Sequence, residues 1–180
     1  MHARAAGLTE AQLQRYGEAL GAALRPGHVV LLQGPMGAGK TTLTRAIAHG
    51  MRVARPDRVR SPTFNICLVH DGPIPLHHVD LFRLAMEDDD AASAPRPPSP
   101  AFGALGLETL FEDHAPGLEG GVVVVEWAEL VRTDVDALTI SLQHAGPDHR
   151  DVEISARGAR HEALVGILNG VSSPSARNPA

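Results

Sequence analysis

The run GPMGAGKTT at residues 34–42, directly after the apolar run VVLLQ at 29–33, narrows the fold more than any other stretch. Gly34, Gly39, Lys40 and Thr41 satisfy G-x-x-x-x-G-K-[ST]. A phosphate wrapped closely by backbone N–H groups tolerates no side chain in the way, which is why glycines recur in such a loop. Val29 to Gln33 reads as a buried parallel strand, and Thr41 to Gly50 as a helix whose positive end faces the bound anion. Lys40 would reach the β- and γ-phosphates, and the Thr41 hydroxyl would bind Mg²⁺. The strand–loop–helix order therefore predicts a nucleoside-triphosphate site, with Gly37, Ala38, Gly39, Lys40, Thr41 and Thr42 as binding residues.

Around this unit the chain reads as a single α/β domain over residues 1–171, with a mixed, mostly parallel sheet flanked by helices and a flexible tail at 172–180. Thr9 to Leu24 has the pattern of an amphipathic helix: Thr9 and Gln12 form a capping box, Leu13, Tyr16, Leu20 and Leu24 share a face, and Pro26-Gly27 stops it. Phe64–His70 and Leu76–Leu81 read as strands joined by a turn at Asp71-Gly72-Pro73. Val122–Val125 is a buried strand, Leu138–Leu142 and Val152–Ser155 alternate like half-exposed antiparallel strands, and His161–Leu168 is a final helix. Residues 86–101, MEDDDAASAPRPPSPA, have the composition of a disordered surface insertion, and Leu105–Asp113 reads as a short helix after it.

Composition excludes several alternatives. A net charge of −5 offers no global positive field for nucleic acid, and a direct RNA binder would need a local basic patch, where only scattered arginines are seen. The lone Cys67 cannot form an internal disulfide or a cysteine-based zinc site. No apolar run approaches the roughly 20 residues of a membrane span, and the opening MHARAAGLTEAQ has no signal-like apolar region, so the cytoplasm is the expected compartment.

Phosphoryl chemistry also needs a carboxylate on the metal side. Glu126 ends the valine strand and Asp80 lies near the end of Leu76–Leu81, so both fall at carboxyl ends of strands, where open α/β sheets bind ligands. The bland alternative for each is a structural carboxylate. His78 and Asp80 would share a strand face, with His77 and His70 nearby, but no further ligands appear at zinc spacing, and a hydrogen-bonded histidine beside the nucleotide is the better reading. Trp127 fits either core packing or a contact to nucleotide or partner.

Taken in order, Gly34–Thr42, Ser61–Phe64 (SPTF), His78–Leu84 (H-x-DL-F-RL) and Glu126–Glu129 (EWAE) resemble the TsaE family, the small bacterial ATPases of tRNA threonylcarbamoyladenosine synthesis, over residues 8–168. The resemblance implies one P-loop domain that binds ATP with Mg²⁺, hydrolyses it weakly alone, and serves the TsaB–TsaD transferase that modifies adenosine 37 of tRNAs reading ANN codons. It implies catalytic roles for Lys40, Asp80 and Glu126, metal ligation by Thr41 and Glu126, a nucleotide-sensing role for the segment holding Thr63, and a nucleotide-proximal Arg150. The chain departs from the family at Pro35 and Met36, at Leu13 where a threonine near the adenine is usual, and in the insertion at 86–101. A small-molecule kinase would need an arginine-bearing lid, and the insertion carries only Arg96; a GTPase would need N-K-x-D, which is missing; an adaptor that binds nucleotide without turnover is the remaining rival.

Overall fold

A computed structural model describes residues 1–62, 66–83, 120–130 and 135–172. The expected insertion at 86–101, the helix at 105–113, Thr63 and Phe64 of the SPTF motif, and the tail from 173 lie outside the described residues.

The elements run β1 (His2–Thr9), α1 (Glu10–Ala23), β2 (Val29–Gln33), α2 (Lys40–Gly50), β3 (Cys67–His70), β4 (Leu76–Asp80), β5 (Val122–Glu126), β6 (Leu138–His144), β7 (His149–Ala156) and α3 (Ala159–Ser172). They build one seven-stranded sheet in the order β1-β7-β6-β2-β5-β4-β3. The four central strands β6, β2, β5 and β4 are mutually parallel, while β1, β7 and β3 join the edges antiparallel. Every residue of β4 and β5 is buried, as expected for central strands covered on both faces.

On one face Val30, Leu32, Leu76, Val122, Val124, Leu138 and Ile140 pack beneath Leu13, Tyr16 and Leu20 of α1, Leu43 and Ile47 of α2 and Leu164 and Leu168 of α3. On the other, Val29, Leu31, Val79, Val123 and Val125 form a smaller cluster with Ile66 and Ala128. Helix α1 begins as its sequence predicts: Thr9 is the N-cap, and both arms of the capping box to Gln12 are made.

Glycines set how closely α1 lies on α2. A Cβ on Gly21 would stand 2.2 Å from Ile47 O, and one on Gly50 would stand 2.1 Å from Glu18 O, so the two backbones touch. Because α2 starts at the phosphate loop, this packing also fixes where the loop sits.

Strand β1 is an addition to what the sequence pattern indicates. Only Ala5 and Leu8 of its eight residues are buried, a bulge interrupts it between them, and its pairing with β7 supplies its order. No helix among the described residues is long and apolar enough to cross a membrane.

Candidate functional site

Residues 34–39 connect the carboxyl end of β2 to the first turn of α2. The loop needs glycine at two points for stated reasons. Gly39, the N-cap of α2, has φ 103°, a left-handed conformation costly for other residues. Gly34 has φ 134°, and a Cβ there would meet Leu142 O at 2.2 Å. The Gly34 N–H donates to Glu129 Oε1 at 3.1 Å, and Ala38 N–H donates to Pro35 O at 3.2 Å.

Lys40, only 4% exposed, folds its ammonium back over the loop. Nζ donates to Gly34 O at 2.5 Å and to Pro35 O at 3.0 Å, and stands 3.5 Å from the centroid of the Trp127 ring. Burial pulls its pKa below the ordinary lysine value, while the charges of Glu129, Glu126 and Asp80 pull the other way. Three carboxylates thus surround one ammonium, an arrangement with room for further positive charge.

Parallel pairing puts the two expected carboxylates side by side: Asp80 is the register partner of Glu126 at the carboxyl ends of β4 and β5. Both are 1% exposed. Glu126 is held by three donors. Thr41 Oγ1 donates to its Oε2 at 2.7 Å. The Thr44 hydroxyl, 3.0 Å from Lys40 O and 3.1 Å from Glu126 Oε1, shares its proton between them. His78 Nε2 lies 2.7 Å from the same Oε1. Asp80 accepts from Phe82 N–H through Oδ1 at 2.9 Å and from the Ser61 hydroxyl through Oδ2, which ties it to the start of the SPTF segment.

Two clefts flank the loop. The first, about 370 Å³, is lined by Lys40, Thr41, Ser61, Asp80, Glu126 and Trp127 among others. The second, about 430 Å³, is lined by Thr9, Glu10, Leu13, Pro147, Asp148 and Arg150. Gly37, Gly39 and Thr42 line both. A ligand with a phosphate chain and a larger body would span them across the loop.

The donor chemistry fits a magnesium–nucleotide complex. Thr41 and Glu126 present hard oxygens next to each other at the phosphate loop. No three His, Cys, Asp or Glu side chains converge into a metal cage among the described residues; magnesium needs none, since it takes one or two protein oxygens and completes its shell with phosphate and water.

The remaining expected residues divide. Lys40, Thr41, Asp80 and Glu126 come together in the first cleft, and Gly37, Gly39 and Thr42 line it as well, while Ala38 is fully buried under the loop. Arg150, in β7, lies on the far side: Nε donates to Ala38 O at 3.1 Å and Nη2 to Gly37 O at 3.3 Å, bracing the loop from the second cleft. Among the described residues, no arginine lines the first cleft. Trp127 meets the expectation of core packing. It packs against the smaller cluster and stacks on Phe82 at 4.8 Å while its face covers Lys40, and its φ of 61° is a left-handed conformation unusual for so large a residue.

Four residues take part in ways the sequence reading did not use. Glu129 holds the loop although its motif position implied no role. Thr44 reaches Glu126 because it sits one helical turn from Thr41, a spacing that could have revealed it. Thr9 and Glu10 line the second cleft because β1 brings them there.

A family model described as threonylcarbamoyl adenosine biosynthesis protein TsaE matches residues 8–152. A Bacillus subtilis protein named tRNA threonylcarbamoyladenosine biosynthesis protein TsaE is 36% identical over 143 residues, covering 78% of this chain and 77% of its own. A Streptomyces coelicolor protein of the same name is 35% identical over 161 residues, covering 86% and 90%. The crystal structure of YdiB from Bacillus subtilis superposes with a TM-score of 0.69 at 27% identity, covering 96% of this chain and 97% of that one.

Proposed function

The chain belongs to the TsaE family of threonylcarbamoyl adenosine biosynthesis proteins, and from that premise we propose that it is a weak Mg²⁺-dependent ATPase. It acts beside a TsaB–TsaD-type transferase in the N6-threonylcarbamoylation of adenosine 37 in tRNAs reading ANN codons. A cytoplasmic tRNA-modification role fits a chain of this charge, which meets tRNA only through its partners.

The observation that carries this reading is the contact between Thr41 Oγ1 and Glu126 Oε2 at the mouth of the phosphate loop. Both oxygens serve as magnesium ligands when the nucleotide is bound, and the metal supplies charge neutralisation on the phosphates. Lys40 binds the phosphate chain, and the backbone from Gly37 to Thr42 wraps it. Asp80 supports the metal side and links it to Ser61, so that occupancy of the cleft is felt in the segment that begins there. Arg150 braces the loop from the nucleoside side, where its guanidinium is already committed to carbonyl groups.

An arginine that stabilises the developing charge of phosphoryl transfer commonly raises rates by orders of magnitude. None of the described residues lining the first cleft is an arginine, which favours slow hydrolysis alone and acceleration by a partner. Phosphate release by the pure protein, measured with and without the cognate transferase pair, tests this. Stimulation is expected, together with co-elution that tightens with ATP and Mg²⁺, since linkage is reciprocal. Binding without turnover in any combination would favour an adaptor, and no association in any nucleotide state would sink the partnership.

A further inference from the structure

His78 is fully buried in β4 and its Nε2 lies 2.7 Å from Glu126 Oε1. A carboxylate oxygen offers only lone pairs, so the imidazole proton between them sits on Nε2. In the neutral ring that makes Nδ1 an acceptor. Nδ1 is buried and has no hydrogen-bond partner among the described residues, and the same is true of His70 Nε2.

These two orphan nitrogens belong to neighbouring rings. In the β3–β4 ladder Leu68 faces His78 and His70 faces Leu76, so His70 and His78 are diagonal neighbours on one side of the sheet. Their ring centroids are 5.9 Å apart with an interplanar angle of 35°. Buried polar atoms of neighbouring groups are commonly satisfied by one ordered water, which can donate to His78 Nδ1 while donating to or accepting from His70 Nε2.

We propose that His78 is the positioning residue of Glu126, and that a single buried water donating to His78 Nδ1 and hydrogen-bonded to His70 Nε2 supports that tautomer from behind. The inference rests on the reading of Glu126 as a magnesium ligand. With Nδ1 engaged as an acceptor, Nε2 keeps its proton and the carboxylate keeps one orientation, with Oε2 turned to Thr41. Partners of this outer kind orient metal-binding carboxylates and change metal affinity by roughly 10–100-fold when removed.

Three measurements test it. Long-range ¹⁵N–¹H spectra of the nucleotide-free protein at neutral pH should give the Nε2–H tautomer for His78; an Nδ1–H tautomer would overturn the proposal without any magnesium being involved. ADP affinity, measured with Mg²⁺ and with EDTA, should separate two variants. His78→Leu is expected to lose the magnesium-dependent gain by about tenfold or more with the EDTA value unchanged. His78→Gln, whose amide can donate in place of Nε2, should recover most of it. An undiminished gain in His78→Leu, or no recovery in His78→Gln, would count against positioning. His70→Phe keeps an aromatic ring and removes the polar atom on the far side of the water, and it should shift the His78 Nδ1 resonance while the Nε2–H tautomer persists; an unchanged Nδ1 resonance would remove the water bridge. A wild-type protein whose ADP affinity ignores magnesium would overturn the metal reading instead, with the tautomer result still deciding the histidine.

Discussion

Thr41 and Glu126 are 85 positions apart in the chain, yet the Thr41 hydroxyl donates to Glu126 Oε2 at 2.7 Å. The contact joins the first turn of α2 to the last residue of β5. It sets a hydroxyl and a carboxylate side by side at the phosphate loop, and the predictions below follow from the groups arranged around it.

Lys40→Ala removes the one ammonium that reaches into the loop and leaves the backbone cradle intact. Loss of a charge-assisted contact to phosphate should cost about 1.5–3 kcal/mol, weakening ATP binding by about tenfold or more. Calorimetric titration with ATP checks the size of the loss, and near-normal affinity in a folded variant would refute the assignment of the loop.

The two paired carboxylates should differ in effect. Glu126→Gln keeps the shape and the acceptor for Thr41 but removes the charge, so the magnesium-dependent part of ATP affinity and turnover should both fall. Asp80→Asn disturbs the tie to Ser61 and should slow turnover more than it weakens binding. Phosphate release with the transferase partners present, read beside titrations with and without Mg²⁺, separates these outcomes.

Glu129 braces the loop. Its Oε1 accepts the Gly34 N–H, and Glu129→Ala leaves that donor without its partner, at a cost of about 0.5–1.5 kcal/mol in loop order. ADP affinity in EDTA should drop accordingly, and Glu129→Gln, which keeps an acceptor oxygen, should restore it. Equal affinities for the alanine and glutamine variants would argue against the brace.

Gly21→Ala probes the seat of α2. The added methyl would stand 2.2 Å from Ile47 O, so the helices must part. Overpacking of this kind costs about 1–3 kcal/mol. The melting temperature should fall, and nucleotide affinity with it, because the loop moves with α2; an unchanged melting curve would show that the helices separate freely.

Acid should weaken the fold through His161. Its Nε2 accepts the Val29 N–H at 3.1 Å, and burial first, then the nearby His28 and Arg160, lowers its pKa from 6.5 to about 4 against the opposing pull of Asp136 and a backbone hydrogen bond. The folded ring stays neutral while the unfolded one takes a proton near 6.5. Stability is therefore full above that pH, declines as pH falls from about 6.5 toward about 4, and levels off below, with about 3 kcal/mol at stake. His28, lowered by its own burial, adds to the same slope. Urea midpoints across this range should fall less steeply in His161→Gln, whose side-chain oxygen can accept from Val29 without taking a proton.

Much of this protein is written locally. Gly34 to Thr41 specifies its loop within eight positions because each residue answers to its immediate neighbours: glycine where the backbone is left-handed or crowded, lysine and threonine at the helix start. Thr9 and Gln12 cap α1 across three positions, and the valines of β5 announce a strand buried on both faces. The positions of Asp80 and Glu126 at strand ends were likewise legible, since parallel strands aimed the same way bring their carboxyl ends to one edge.

What the sequence could not state is any relationship that exists only across elements. β1 has too little apolar pattern to declare itself, and its order comes from pairing with β7, about which residues 2–9 carry no information. Nothing near Arg150 in sequence names its partners; the place of β7 in the sheet delivers its guanidinium to the carbonyls of Gly37 and Ala38. Glu129, Thr44 and His78 take their partners from segments remote in sequence. Periodicity and capping report energies between residues a few positions apart; the contacts that orient this site are between strands and helices, and only their packing decides them.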